Sequence, residues 1–214
     1  MTLDVSDRAQ LTAAVKQLAK RCPVMKAAHK RVGVPQWRTR EQGYAGLARI
    51  IAYQQVSTRA AATIWARVEV LLKKVTPKNV LGAEIDDLRA AGLSRPKIAH
   101  IRSIATAVED GSLNFRRIAK ASDSDAQAEL VAVSGVGPWT ADVYLMFSLG
   151  RSDVFPHADI GLSAAYRMIT GEAARHPPRQ FLETGEQWRP FRGVAAHMLW
   201  AYIGAVRAEQ AGGA

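Results

Sequence analysis

One cysteine, Cys22, is all that the 214 residues contain. No disulfide can close within the chain, and no cysteine set exists to hold zinc or an iron–sulfur cluster. Cys22 itself reads most simply as a small buried residue. Long hydrophobic runs are also missing. The opening MTLDVSDRAQ has no apolar leader, and no later stretch is apolar for long enough to cross a bilayer. The expectation is a cytoplasmic protein without a membrane partner. Strand-like alternation is absent, as are internal repeats and low-complexity tracts. Acidic residues are the scarcer charge, 19 against 29 Lys and Arg, for a formal net charge of +10. That excess favours a polyanionic partner, although basicity alone is common in proteins that bind no nucleic acid.

What is present is helical periodicity. It predicts an all-α chain of about ten helices. A Ser6 cap opens a helix over Asp7 to Lys20, and a short helix covers Val24 to Arg31. GVPQWRTREQ, 33–42, reads as a loop. Tyr44 to Gln55 follows, then Thr58 to Val75 behind a Ser57 cap. Short helices open at Thr76-Pro77 and at Glu84. Ser94 caps Arg95 to Glu109, whose Ile98, Ile101, Ile104, Ala105 and Val108 face inward. Lys97 and Arg102 on that helix read as a solvated face, with phosphate contacts as the alternative. Asn114 to Lys120 and Ser124 to Val133 complete the middle of the chain. Ala158 to Met168, a short helix near Phe181 and Phe191 to Glu209 make up the rest. The last of these carries a core stripe from Phe191 to Val206, and Trp200 lies off it on a face with Gly193, His197 and Gly204.

The stretch around which the chain is organised is LVAVSGVGPWTA, 130–141. It reads as a helix end, a Gly-Val-Gly turn, and a second helix from Pro138 to Leu149. Gly135 and Gly137 permit a tight turn with positive φ. Pro138 suits the first helical position, where no amide donor is required. The new helix therefore begins with unpaired N–H groups beside a turn without side chains, an arrangement that suits an anion. An ordinary helix–helix corner would read the same way from these glycines alone.

The longer strings are more specific. VSGVGPWTA resembles the helix-hairpin-helix motif, a binder of the DNA backbone. VFPHADIGL follows it, with Asp159 at the end of a short loop. A hairpin followed by a Gly/Pro-rich loop and an aspartate is the signature of the helix-hairpin-helix (HhH-GPD) DNA glycosylase superfamily. IIAYQQVS resembles the I-x-x-Q-Q-x-S segment of its alkylation-repair branch, the 3-methyladenine DNA glycosylase II type, and GLSRPK resembles its G-L-S-x-x-K segment. The resemblance runs from about Tyr44 to Trp200. The single cysteine sets the chain apart from the iron–sulfur branch.

The resemblance implies a two-lobed, all-helical fold with a central cleft. Residues 43–150 would form one lobe, and 1–42 with 151–214 the other. It implies a monofunctional N-glycosylase acting on alkylated purines in damaged double-stranded DNA, with the nucleoid as its place of work and a monomer as its form. Asp159 would stabilise positive charge growing on the sugar and would orient water. A helix cap is the plainer reading of the same aspartate. Many relatives carry a second acid just before it, and here that position is Ala158. Trp139, Trp200 and Val143 would contact the flipped base, with the indoles stacking on an electron-poor purine. Trp139 stands where lyase-active relatives carry a catalytic lysine, and an indole cannot form a Schiff base. Core packing is the alternative for Trp139, and a satisfied interior position the alternative for His197. Gln55 would enter the minor groove in place of the flipped nucleotide; surface exposure alone would equally account for the Gln54-Gln55 pair. Gly135, Gly137, Trp139 and Thr140 would meet phosphates. No cofactor is required, but the backbone carbonyls of Val131, Val133 and Val136 would hold a monovalent cation, Na+ or K+. A non-catalytic damage-binding or architectural protein would share most of these features, and so would a glycosylase with lyase activity.

Overall fold

The computed structural model describes residues 3–212. Among them are thirteen α-helices, one 3-10 turn and no strand. Every α-helix falls on a segment singled out above. No helix among the described residues is long and apolar enough to cross a membrane. The chain divides into two compact units, one formed by residues up to Thr39 and from Gly150 onward, the other by Arg40–Leu149.

The first unit begins with α1 (Arg8–Arg21) and α2 (Pro23–Val32). Asp7, not Ser6, caps α1: its carboxylate accepts the N–H groups of Ala9 and Gln10. Ser6 instead donates its hydroxyl to Asp4. An aspartate one residue closer to the helix makes two bonds where a serine makes one, which moves the cap. After Gly150 come α11 (Ile160–Thr170), α12 (Pro178–Gly185), the 3-10 turn (Glu186–Trp188) and α13 (Arg192–Gly212). α13 packs on both α2 and α11. Val194, Ala195, Met198, Leu199 and Ile203 of its predicted stripe are buried. Phe155, Phe181 and Trp188 close the other end of the core through tilted and edge-on ring contacts.

The second unit runs from α3 (Gly43–Ala52) through α4 (Thr58–Leu72), α5 (Pro77–Gly82), α6 (Ile85–Ala90), α7 (Arg95–Glu109), α8 (Phe115–Lys120) and α9 (Asp123–Val131) to α10 (Pro138–Phe147). α7 is central, packing on α3, α5 and α6. Its Ile98, Ile101, Ile104 and Ala105 are buried as the spacing predicts, together with Ala107. Lys97 and Arg102 are not a solvated face. The Lys97 ammonium donates to the Ala52 carbonyl at 2.8 Å, and burial lowers its pKa. Arg102 donates to the carbonyls of Val80 and Ala83, both at 3.1 Å. Each cation thus closes carbonyls left open at a helix C-terminus, α3 in one case and α5 in the other. Ser122 rather than Ser124 starts α9, because its hydroxyl accepts the Asp125 N–H.

Candidate active site and nucleic-acid interface

In the first unit, the loop after Gly150 delivers Asp159. Its turn is closed by two backbone bonds, His157 N–H to Phe155 O at 2.8 Å and Asp159 N–H to Pro156 O at 2.9 Å. Asp159 is therefore the N-cap of α11 and not a first-turn residue, and its Oδ1 accepts the Leu162 N–H at 2.9 Å. The cap reading of this aspartate thus holds, and the carboxylate is half-buried and pinned by it. It borders a cavity of about 320 Å³ with His157, Ile160, Arg175 and His176. His176 is itself held at both ring nitrogens, by the Thr184 hydroxyl at 2.9 Å and by Glu172 at 2.8 Å. Ala158, where many relatives carry an acid, is exposed.

Trp200 comes to the same place from α13. A Cβ on Gly161 would lie 3.0 Å from Asp159 Oδ1 and 3.9 Å from Trp200 Cδ1, so carboxylate and indole flank one point at the start of α11. Behind Trp200, His197 meets it edge-on at 5.7 Å and stacks on Trp37 at 3.9 Å. His197 is 3% exposed, and this decides it as an interior histidine. Its Nδ1 lies 2.9 Å from the Gly193 carbonyl, and its Nε2 accepts the Arg38 N–H at 3.4 Å. That pattern requires a neutral ring protonated at Nδ1. Burial pushes its pKa down to about 4.

The second unit carries the hairpin and the double glutamine. α9 ends at Val131, and Val136 donates its N–H to the Val133 carbonyl at 3.0 Å to close the turn. Gly135 has φ +92°, and a Cβ there would fall 2.5 Å from His100 Cβ and Cγ on α7. The two hairpin glycines therefore differ. Gly137 has φ −83°, an ordinary extended value, and open space around it. Pro138 takes N1 of α10 as expected. Trp139 is half-buried. Thr140 is 3% exposed and Val143 4% exposed, so the side chains of both lie within the packed unit.

α3 ends at Ala52, three residues before Gln55. The turn between α3 and α4 thus holds both glutamines, and they point to different ends. The Gln54 amide donates to the Thr140 hydroxyl at 2.9 Å. Gln55 is exposed and has φ +56°, one of two non-glycine residues with positive φ among the described ones. The other such residue, Lys73, is the C-cap of α4, whereas Gln55 holds a long polar side chain outward in the turn between two helices.

Ile160, Gly161, Trp37 and His176 escaped the sequence reading. Ile160 is a large apolar residue left 69% exposed directly beside Asp159. Its neighbourhood in sequence gives a helix start and nothing more. Trp37 lies in a loop defined by its charge and proline content, where periodicity is silent.

Known proteins resemble this chain in sequence and in fold. The profile of the HhH-GPD superfamily base excision DNA repair proteins matches residues 48–190. The chain belongs to that superfamily. DNA-3-methyladenine glycosylase 1 of Schizosaccharomyces pombe is 31% identical over 166 residues, 75% of this chain and 72% of the relative. Some curated relatives are longer, and this chain spans less than half their length. Among solved structures, a DNA-3-methyladenine glycosidase from Bacillus halodurans superimposes with a TM-score of 0.78 at 31% identity, covering 92% of this chain and 91% of that one. The 3-methyladenine DNA glycosylase of Schizosaccharomyces pombe, in complex with abasic DNA, gives 0.81 at 29% identity, with 88% and 95% covered. The all-helical HhH-GPD fold of this chain follows from these matches.

Proposed function

We propose that this chain is a monofunctional DNA glycosylase of base excision repair that hydrolyses the N-glycosidic bond of alkylated purines of the 3-methyladenine type. The observation that carries this reading is the pinned Asp159 carboxylate facing the same point as the Trp200 indole. An alkylated purine bears positive charge and leaves readily. The C1′–N bond breaks, its electron pair departs with the base, and the base becomes neutral. Positive charge then develops on the sugar, and Asp159 stabilises it electrostatically. Water adds to C1′ and passes a proton to the carboxylate or to solvent. No general acid is required for such a leaving group. The Trp200 indole supplies a π face for an electron-poor base, worth about 0.5–2 kcal/mol, and Trp139 is a second indole that would serve the same purpose.

The same proposal assigns the DNA grip. Gln55 enters the space vacated by the flipped nucleotide, and a glutamine amide can both stack and hydrogen-bond the orphaned partner base. Backbone amides near Gly135, Gly137 and Trp139, at the start of α10, meet phosphates of double-stranded DNA. The carbonyls of Val131, Val133 and Val136 would hold a monovalent cation. Such a donor set fits, since Val131 ends α9, where carbonyls lack intrahelical partners, and a carbonyl that accepts one N–H keeps a second lone pair. The cation would add positive charge beside a phosphate. The chain acts as a monomer in the cytoplasm, at the nucleoid.

Incubation with duplex DNA bearing methylated purines tests the assignment. The wild-type chain releases free base, and Asp159→Asn releases it at least about a hundredfold more slowly. Equal release by the two would remove Asp159 from the chemistry. No release by either would favour a damage-binding protein. Borohydride trapping of a covalent DNA adduct would replace the monofunctional reading with a lyase.

A further inference from the structure

Gly161 occupies the second position of α11, a half-buried place in the first turn of a helix. Its φ is not in the left-handed region, so the backbone conformation does not demand glycine. Alanine would favour the helix more, because glycine loses more freedom on folding. Neither helix formation nor backbone geometry accounts for a glycine here.

The surroundings do. A Cβ at this position would stand 3.0 Å from Asp159 Oδ1, tighter than most such contacts, so the carboxylate would have to give by a few tenths of an ångström. That oxygen is the same atom that accepts the Leu162 N–H at 2.9 Å. The added carbon would thus press on the one carboxylate atom that the helix cap holds in place. On its other side the same carbon would lie 3.9 Å from Trp200 Cδ1, an ordinary van der Waals contact. A methyl group would therefore move the carboxylate and leave the indole where it is.

We propose that Gly161 is a positioning residue for base release: its missing side chain lets the Asp159 carboxylate lie against the first turn of α11, in line with Trp200. The proposal rests on the reading of Asp159 as the catalytic carboxylate. Gly161 acts through that carboxylate and makes no contact of its own with the reacting atoms. A carboxylate displaced by a few tenths of an ångström stabilises a growing charge less well, while the base still finds the same π face. The effect falls on the chemical step and spares binding.

Three proteins test this: the wild type, Gly161→Ala and Gly82→Ala. Gly82 ends α5 in the other unit, is exposed, and a Cβ there would meet open space. The measurements are melting temperature, affinity for abasic-site duplex, and single-turnover and steady-state base release from methylated duplex. Gly161→Ala is expected to melt at or above the wild-type temperature and to bind abasic duplex as the wild type does. Its KM stays unchanged and its kcat falls about tenfold. Gly82→Ala keeps wild-type kcat. In an Asp159→Asn background the Gly161→Ala change costs no further rate, since the group it displaces is already disabled. Unchanged kcat in Gly161→Ala with an active wild type would overturn the proposal alone. So would a melting temperature well below wild type, or a further rate loss in the Asp159→Asn background, because the glycine would then serve the fold or another group. A wild-type chain that releases no base would overturn the catalytic reading and this proposal with it.

Discussion

The Gln54 side-chain amide donates to the Thr140 hydroxyl at 2.9 Å, joining the turn after α3 to the first turn of α10. The residue that presents Gln55 is therefore tied to the helix that follows the hairpin. Thr140 is 3% exposed, so its hydroxyl has little water to turn to. Thr140→Val keeps the shape and removes the acceptor. The expected cost is about 1 kcal/mol, read as a lower urea midpoint with an unchanged slope. Loosening the turn should also weaken abasic-duplex affinity by a few-fold. The expected loss of stability without any change in affinity would separate the turn from DNA binding.

Gln55 itself combines an exposed side chain with φ +56°. The left-handed conformation costs a non-glycine residue about 1 kcal/mol. Gln55→Gly should relieve that strain and Gln55→Ala should not, leaving the glycine variant about 1 kcal/mol the more stable of the two. Both variants lose the amide that would fill the gap left by a flipped base, so both should bind abasic duplex more weakly than the wild type. Chemical denaturation and fluorescence anisotropy check the two halves separately. Wild-type affinity in both variants would remove Gln55 from the interface.

His197 links fold stability to pH. Its ring is neutral in the folded chain, with a pKa lowered by burial from 6.5 to about 4. Between those values the unfolded chain binds the extra proton and the folded chain does not. Stability therefore falls as pH drops from 6.5 toward 4 and levels off below. Carboxylates with lowered pKa, among them Glu129 beside Arg117, add their own losses only at lower pH. The interval from about 6.5 to 5 isolates the histidine. Melting temperatures across that interval should decline for the wild type, and His197→Gln should flatten the one-proton part of the slope. An equal slope in both would mean that the ring is charged when folded.

Much of the fold is legible in the chain because the relevant signals are local. Ser57, Thr76 and Asn114 each announce a helix by a bond to an amide two or three residues on, and the isoleucines of α7 announce its buried face by spacing alone. Asp159 is legible twice, as a cap and as the aspartate after the hairpin. Long-range polar contacts are not legible. Nothing near Lys97 or Arg102 in sequence shows that their charges end at the carbonyls of Ala52, Val80 and Ala83. Trp37 beside His197 and Gly161 beside Trp200 depend on packing between elements far apart in the chain. The two hairpin glycines look equivalent in sequence, yet only Gly135 has the positive φ and the close neighbour that exclude a side chain.

That difference allows the hairpin's two roles to be separated. Gly135→Ala must meet His100 at 2.5 Å and adopt φ near +92°. The strain alone costs about 1–2 kcal/mol, and the overlap adds to it, so a clear drop in melting temperature is expected. Gly137→Ala meets open space at φ −83°, so its melting temperature should stay at the wild-type value. If amides beside Gly137 approach a phosphate closely, a methyl group there obstructs the approach while the fold remains whole. Affinity should then fall by the same factor on unrelated duplex sequences, because a phosphate contact carries no sequence information. The slope of log affinity against log salt should also become shallower, by roughly 0.9 for each phosphate that the variant no longer neutralises. Anisotropy titrations on two duplexes over a salt series measure both quantities. A stable Gly137→Ala protein with wild-type affinity and wild-type salt slope would mean that the phosphates are held elsewhere on this basic surface.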